Sequence, residues 1–301
     1  MKQGLTLLIT LLLVSAAVAE DGKPPSRGLS IFANAGGYWG DKVNANFYSG
    51  RPDNKNTIDR VLHSNKDGHN IWANLRSQRL ISDAVGNESQ LQVAEYPDMY
   101  YRTSYQIGVG LHYEYASGFG WLLRADMARL QAIGAFNLSA DGGVGLLGSD
   151  QYVRCSMFGQ EDRINIDLAL TKTVSLSSVL DLELDLGASL INTQVRSNMM
   201  EIGGASYSIL DVWDGRTPDE GVESYNYINQ GGIGYGVFAS LLLGYYMPSV
   251  GAFKLGYTCY QSLTVLKGGV GADGAADPYT AWGWQHMLGI RIEINNFSFI
   301  N

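Results

Sequence analysis

Between Tyr100 and Ala116, apolar and polar side chains take turns along the chain. Tyr101, Thr103, Tyr105, Ile107, Val109, Leu111, Tyr113 and Tyr115 hold the odd positions; Arg102, Ser104, Gln106, Gly108, Gly110, His112 and Glu114 hold the even ones. A period of two over that length predicts a strand with one apolar, aromatic face and one polar, glycine-rich face. The pattern recurs. Leu123, Ala125 and Met127 oppose Arg124 and Asp126, and Ile164, Ile166 and Leu168 oppose Arg163, Asn165 and Asp167. It is cleanest where Leu180, Leu182, Leu184 and Leu186 alternate with Asp181, Glu183 and Asp185. Towards the end of the chain, Phe253, Leu255 and Tyr257 oppose Lys254 and Gly256, and Ile290, Ile292 and Ile294 oppose Gly289, Arg291 and Glu293.

Eight strands are expected, at about 28–39, 99–116, 120–138, 161–176, 179–201, 231–247, 252–267 and 281–294. The connections alternate between long (40–98, 139–160, 202–230, 268–280) and short. An even strand count with tight turns at one end and long loops at the other predicts a closed antiparallel up-and-down barrel of the transmembrane kind. Both chain ends then lie on the short-turn, periplasmic side. The first loop is too long for a passive connection. Within it, "NIWANLRSQRLISDAV" reads either as a short amphipathic helix capping or entering the tube, or as one more hairpin that would make ten strands; eight is preferred.

Composition narrows the class. The chain has 37 Gly and 18 Tyr but only 7 Pro and 2 Cys, which suits long strands and excludes a disulfide scaffold. Whether Cys155 and Cys259 pair is left open. Residues 1–19, with an apolar run from Leu5 to Val14 and Ala17-Val18-Ala19 before Glu20, read as a secretory signal peptide. A lead-in at 20–27, a barrel at 28–294 and a tail at 295–301 follow. No later run is long and apolar enough for a spanning helix. A net charge of −8 argues against nucleic acid as a partner.

Glycine collects on the polar faces, at 108, 110, 234, 236, 244, 256 and 289, where it would relieve crowding inside a narrow tube. Aromatic residues gather by the short turns (Tyr113, Tyr115, Trp121, Tyr245, Phe253) and by the loops (Tyr100, Tyr101, Trp282, Trp284), as two interfacial girdles would require. The apolar face is therefore expected to meet lipid. From Gly28 to Ile294 the chain resembles the small eight-stranded outer-membrane barrels, the group of the OmpA membrane domain, OmpX and OmpW. That resemblance implies a fold and the outer membrane of a Gram-negative bacterium, not an activity. The last strand, "MLGIRIEI", is similar to the signal read by barrel-assembly machinery; Met287 stands where a polar residue is usual.

An eight-stranded tube is wide enough only for its own side chains. Arg102, His112, Glu114, Arg124, Asp126, Asp181, Glu183, Asp185, Lys254, Arg291 and Glu293 are expected to fill it as an ion-pair network that plugs the lumen. A narrow channel for small or hydrophobic solutes is the alternative. A rim enzyme acting on lipid or peptide is a third reading, for which "DRVLHSNKDGHN" offers His63, Ser64, Asp67 and His69 without a hydrolase spacing. No catalytic residue, cofactor or metal is assigned. The segment from Asp211 to Ser224 carries acids without regular calcium-ligand spacing and reads as a surface loop. Expected contacts are membrane lipid through the wall, assembly machinery through the last strand, and surface or envelope proteins through the loops at 40–98, 139–160 and 202–230.

Overall fold

The computed structural model describes residues 28–52, 56–64, 67–141, 152–210, 231–247, 251–266 and 278–294. The expected signal peptide, lead-in and tail lie outside the described residues, as does the acidic segment 211–224. Eight long strands make the wall: β1 (Gly28–Trp39), β2 (Ser104–Glu114), β3 (Phe119–Ala140), β4 (Val153–Ser175), β5 (Leu180–Ile202), β6 (Gly232–Met247), β7 (Gly251–Leu266) and β8 (Tyr279–Ile294). Each pairs antiparallel with the next, and β8 pairs with β1 from Ile31↔Ile294 to Trp39↔His286. The ring closes, so the wall has no free sheet edge where these pairings run.

The side chains sort by face as the period of two demands. Leu170 and Ile233 are 74% and 70% exposed on the outside, whereas Asp181, Glu183 and Asp185 are at most 1% exposed on the inside. This is the opposite of a soluble barrel. Inward glycines make room for charged neighbours: a Cβ on Gly108 would stand 1.8 Å from Asp126 Oδ1, and one on Gly244 2.0 Å from Asp181 Oδ1. The turn between β2 and β3 closes on Gly118, whose φ of +73° favours glycine.

Three strands are taller than the rest. β3, β4 and β5 run 22, 23 and 23 residues, against 16 for each of β6, β7 and β8. β4 starts at Val153 rather than near 161, so part of the expected loop 139–160 is wall. Its outer end carries Val153, Cys155 and Met157 inward, an inversion of the pattern lower down. The reason is the first loop, which folds against this inner face as a cap.

The cap has three short helices, α1 (Lys42–Ala45), α2 (Ile58–Leu62) and α3 (Asp67–Ser77), and two short strands, Leu91–Glu95 and Tyr100–Tyr101, that pair with β3. Phe47, Tyr48, Ile58, Leu62, Ile71 and Leu75 bury against Phe136, Leu138, Val153, Met157, Met200 and Ile202 of the wall. Ile71 and Leu75 lie one turn apart on α3, the face an amphipathic helix buries. The helix expected within 70–85 therefore exists, displaced towards the amino terminus, and the ring has eight strands rather than ten.

One residue assigned to the lumen is not there. Arg102 is exposed, and Tyr101 turns inward instead. Tyr101 pairs with Ala132 while Gln106 pairs with Ala128, so five steps on one strand oppose four on the other. The extra residue reverses the alternation above Ser104.

Candidate functional site: a charged lumen under an apolar cap

The network is built across the tube, not along the wall. On β8, Arg291 Nη1 donates to Glu183 Oε1 at 2.5 Å and Nη2 to Asp185 Oδ2 at 2.8 Å, both on β5. On β7, Lys254 Nζ donates to Glu183 Oε2 and, at 2.8 Å, to Glu293 Oε1. Thus Glu183 holds a cation on each oxygen. His112 Nδ1 lies 3.4 Å from Glu293 Oε1, and its Nε2 lies 3.1 Å from Thr171 Oγ1. Glu114 Oε2 accepts from Thr173 Oγ1 at 3.3 Å near the short-turn end. Asp181 lies inward on the same face of β5 as Glu183.

A second cluster sits on the other side of the lumen. Arg124 Nε lies 2.8 Å from Asp126 Oδ2, and its Nη2 donates to Asp167 Oδ2 at 2.6 Å. Tyr260 closes the group, its hydroxyl accepting from Arg124 Nη2 at 2.6 Å and donating to Asp167 Oδ2 at 3.0 Å. Asn34 Nδ2 donates to the other oxygen of Asp126 at 2.9 Å. Each buried arginine also lies over a ring: Arg291 over Phe32 at 4.8 Å and Arg124 over Phe238 at 5.2 Å. Charges taken out of water in so narrow a space stay ionised only if paired and hydrogen-bonded.

His112, Glu114, Arg124, Asp126, Asp181, Glu183, Asp185, Lys254, Arg291 and Glu293 are all buried on the inner face; of the residues assigned to it, Arg102 alone falls elsewhere. The pattern along the chain also offered Arg163, Asp167 and Tyr260, which share the polar faces of β4 and β7 and belong to the same interior. Phe32 and Tyr48 had no such signal. His112, Glu183 and Glu293 bring ligand atoms within 4.8 Å of one another, close enough for a metal ion. The Lys254 ammonium already bonds both carboxylates of that trio, so the cation there is part of the chain.

At the top of the lumen the charged interior meets the cap. Tyr48 donates its hydroxyl to Glu161 Oε2 at 2.6 Å, Tyr101 donates to the same oxygen at 3.0 Å, and Arg163 Nε donates to Glu161 Oε1 at 2.5 Å. Gly159 admits the Tyr48 ring: a Cβ there would lie 2.3 Å from Tyr48 Cγ. Burial, reinforced by the charge of Glu161, pushes the Tyr48 phenol well above its ordinary value. Burial and a hydrogen bond to Asp59 raise Tyr96 on the cap in the same direction.

Three further assignments meet the structure here. Ser64 accepts from the Asp67 and Gly68 backbone N–H groups at 3.0 and 3.2 Å and donates to Val61 O at 2.9 Å, so its hydroxyl satisfies backbone donors at the start of α3. Cys155 lies inside the cap core and Cys259 on the outer face, both as free thiols. Met287 faces inward with Tyr38, Ala128 and Leu130, an apolar contact that accounts for the missing polar residue.

Fold and interior together define an eight-stranded barrel of the outer-membrane kind, apolar outside and ionised within. No family model and no curated protein matches the chain. Among solved structures it is similar to the outer membrane protein OprG from Pseudomonas aeruginosa, with 10% identity, a TM-score of 0.38, and coverage of 91% of this chain and 99% of that one. It is also similar to Ail, the attachment invasion locus protein of Yersinia pestis, solved with the heparin analogue sucrose octasulfate, at 8% identity and a TM-score of 0.30 over 89% and 99% of the two chains. A third is the outer membrane protease OmpT from Escherichia coli, at 8% identity and a TM-score of 0.30 over 66% and 68%. Likenesses of this degree transfer neither residue roles nor activity.

Proposed function

We propose that the protein is a non-enzymatic outer-membrane barrel of a Gram-negative bacterium whose lumen is closed twice. The observation that carries this reading is the interior itself, where Glu183, Asp185, Lys254 and Arg291 meet across the tube with no more than 2% exposure while an apolar cap fills the mouth above them. The lower network anchors opposite strands to one another and leaves water no continuous path. The wall holds the protein in the membrane, and the cap and loops present a surface to envelope or extracellular partners. The last strand is the part we assign to recognition by assembly machinery.

Planar-bilayer recording of the full mature chain tests the closure. Absence of conductance steps is expected. Regular, reproducible steps would replace this reading with the narrow channel, whose apolar upper lining of Phe136, Met157 and Met200 would suit hydrophobic solutes.

A further inference from the structure

The outward face carries an aromatic ring at its loop end: Trp39 on β1, Tyr105 on β2, Tyr235 on β6, and Trp282 and Trp284 on β8. On β3, β4 and β5 the described outward positions at this level are of another kind. The unbroken apolar runs stop at Met127, Ile164 and Leu190, and Arg129, Asp162, Asn192, Gln194 and Arg196 come next; further out, Phe158 on β4 and Tyr152 just before it are exposed again. Where β1, β2, β6 and β8 carry rings, this side carries two arginines at the same level.

Their geometry is specific. Asp162 Oδ1 accepts from Arg129 Nε at 2.7 Å, and Oδ2 accepts from Arg129 Nη2 at 3.2 Å and from Arg196 Nε at 2.7 Å. The carboxylate side chain is 4% exposed, while the two arginine side chains are 59% and 46% exposed. One acid thus holds two guanidiniums side by side, with one positive charge in surplus and the remaining N–H groups turned outward. Arg196 reaches this position through a bulge: Gln160 pairs with Ser197 and Glu161 with Val195, leaving Arg196 as the extra residue. Bulges re-aim side chains, and an exposed ion triad adds little to stability.

We propose that Arg129 and Arg196, held together by Asp162, form a binding site for the phosphate of an anionic lipid at the outer rim of the belt. The guanidinium fork matches phosphate oxygens in geometry and charge. The site adjoins the apolar surface directly, so the acyl chains of a lipid whose headgroup it holds lie along β3, β4 and β5. The inference rests on the lipid-facing reading of the wall.

The test uses the full mature chain purified from mixed micelles of phosphatidylcholine with a minor fraction of phosphatidic acid, and counts the lipids retained. Wild type should enrich phosphatidic acid, and the Arg129→Gln/Arg196→Gln double variant should lose at least about ten-fold of that enrichment. Each single variant should lose part of it, which covers the case of a double variant that fails to fold. Heat-modifiable gel migration monitors the barrel separately, so a barrel that stays intact but selects no lipid overturns only this site. Equal retention by wild type and double variant overturns it. So does full displacement of the lipid by free inorganic phosphate, which would mark a general anion site.

Discussion

Arg291 on β8 reaches across the lumen to Asp185 on β5, Nη2 to Oδ2 at 2.8 Å, although β6 and β7 separate the two strands in the ring. The contact braces the tube across its width, which neighbouring-strand hydrogen bonds cannot do.

Removing that brace should be costly. Arg291→Met leaves Glu183, Asp185 and Glu293 with Lys254 as the nearest cation, and breaking a buried pair from one side costs about 3–5 kcal/mol. Urea unfolding of the variant in detergent should show a loss of that size, with bilayer conductance still silent because Lys254 and the cap remain. Unchanged stability would mean that the network contributes nothing to holding the wall.

Gly159→Leu addresses the cap alone. The side chain would occupy the space of the Tyr48 ring, and overpacking of this kind costs about 1–3 kcal/mol. Limited trypsin digestion should cleave the variant at Arg60, Arg76 or Arg79 much faster than wild type, while the heat-modifiable barrel band persists. If cleavage is equally slow, Tyr48 is not what seats the cap.

The cap should also loosen in alkali. Tyr48 binds its proton more tightly when folded than the ordinary phenol value of 10.0. A raised folded value means that the contribution is complete below pH 10 and is lost as pH rises beyond it, because the released phenol ionises and the docked one does not. Trypsin sensitivity at the cap should therefore climb above pH 10 in wild type, and more shallowly in Tyr48→Phe, which forgoes the Glu161 hydrogen bond at every pH.

Eight strands, their faces and most of the interior were legible because one chemical alternation runs through the lower part of the wall: lipid outside selects leucine and isoleucine, and the tube selects charge and glycine. Two things broke that legibility. At Arg102 a single extra residue reversed the phase, and spacing alone carries no mark of it. At Val153–Met157 the interior changed from ionic to apolar, because a cap supplied by a segment a hundred residues earlier replaces the charged filling. A strand with its greasy face inward then reads as loop. Cross-lumen partners such as Arg291 and Asp185 were visible as inward residues but not as a pair, since pairing depends on barrel closure. Phe32 was hidden by a weak first strand.

Replacing residues 41–95 with a short linker separates the two closures. The lower network is independent of the cap, so the truncated barrel should remain non-conducting while binding more of an apolar dye to its exposed inner lining. Conductance on truncation would assign the seal to the cap.

Spin labels walked along β5 test the orientation of the faces most directly. On a Cys155→Ala/Cys259→Ala background in bilayers, labels at Ala188→Cys and Leu190→Cys should be relaxed strongly by oxygen dissolved in lipid. Labels at Ser189→Cys and Ile191→Cys should be shielded from both oxygen and a water-soluble nickel complex. Reversed alternation, or relaxation by nickel at Leu190→Cys, would show that the leucine face meets water and that the barrel does not stand in a membrane.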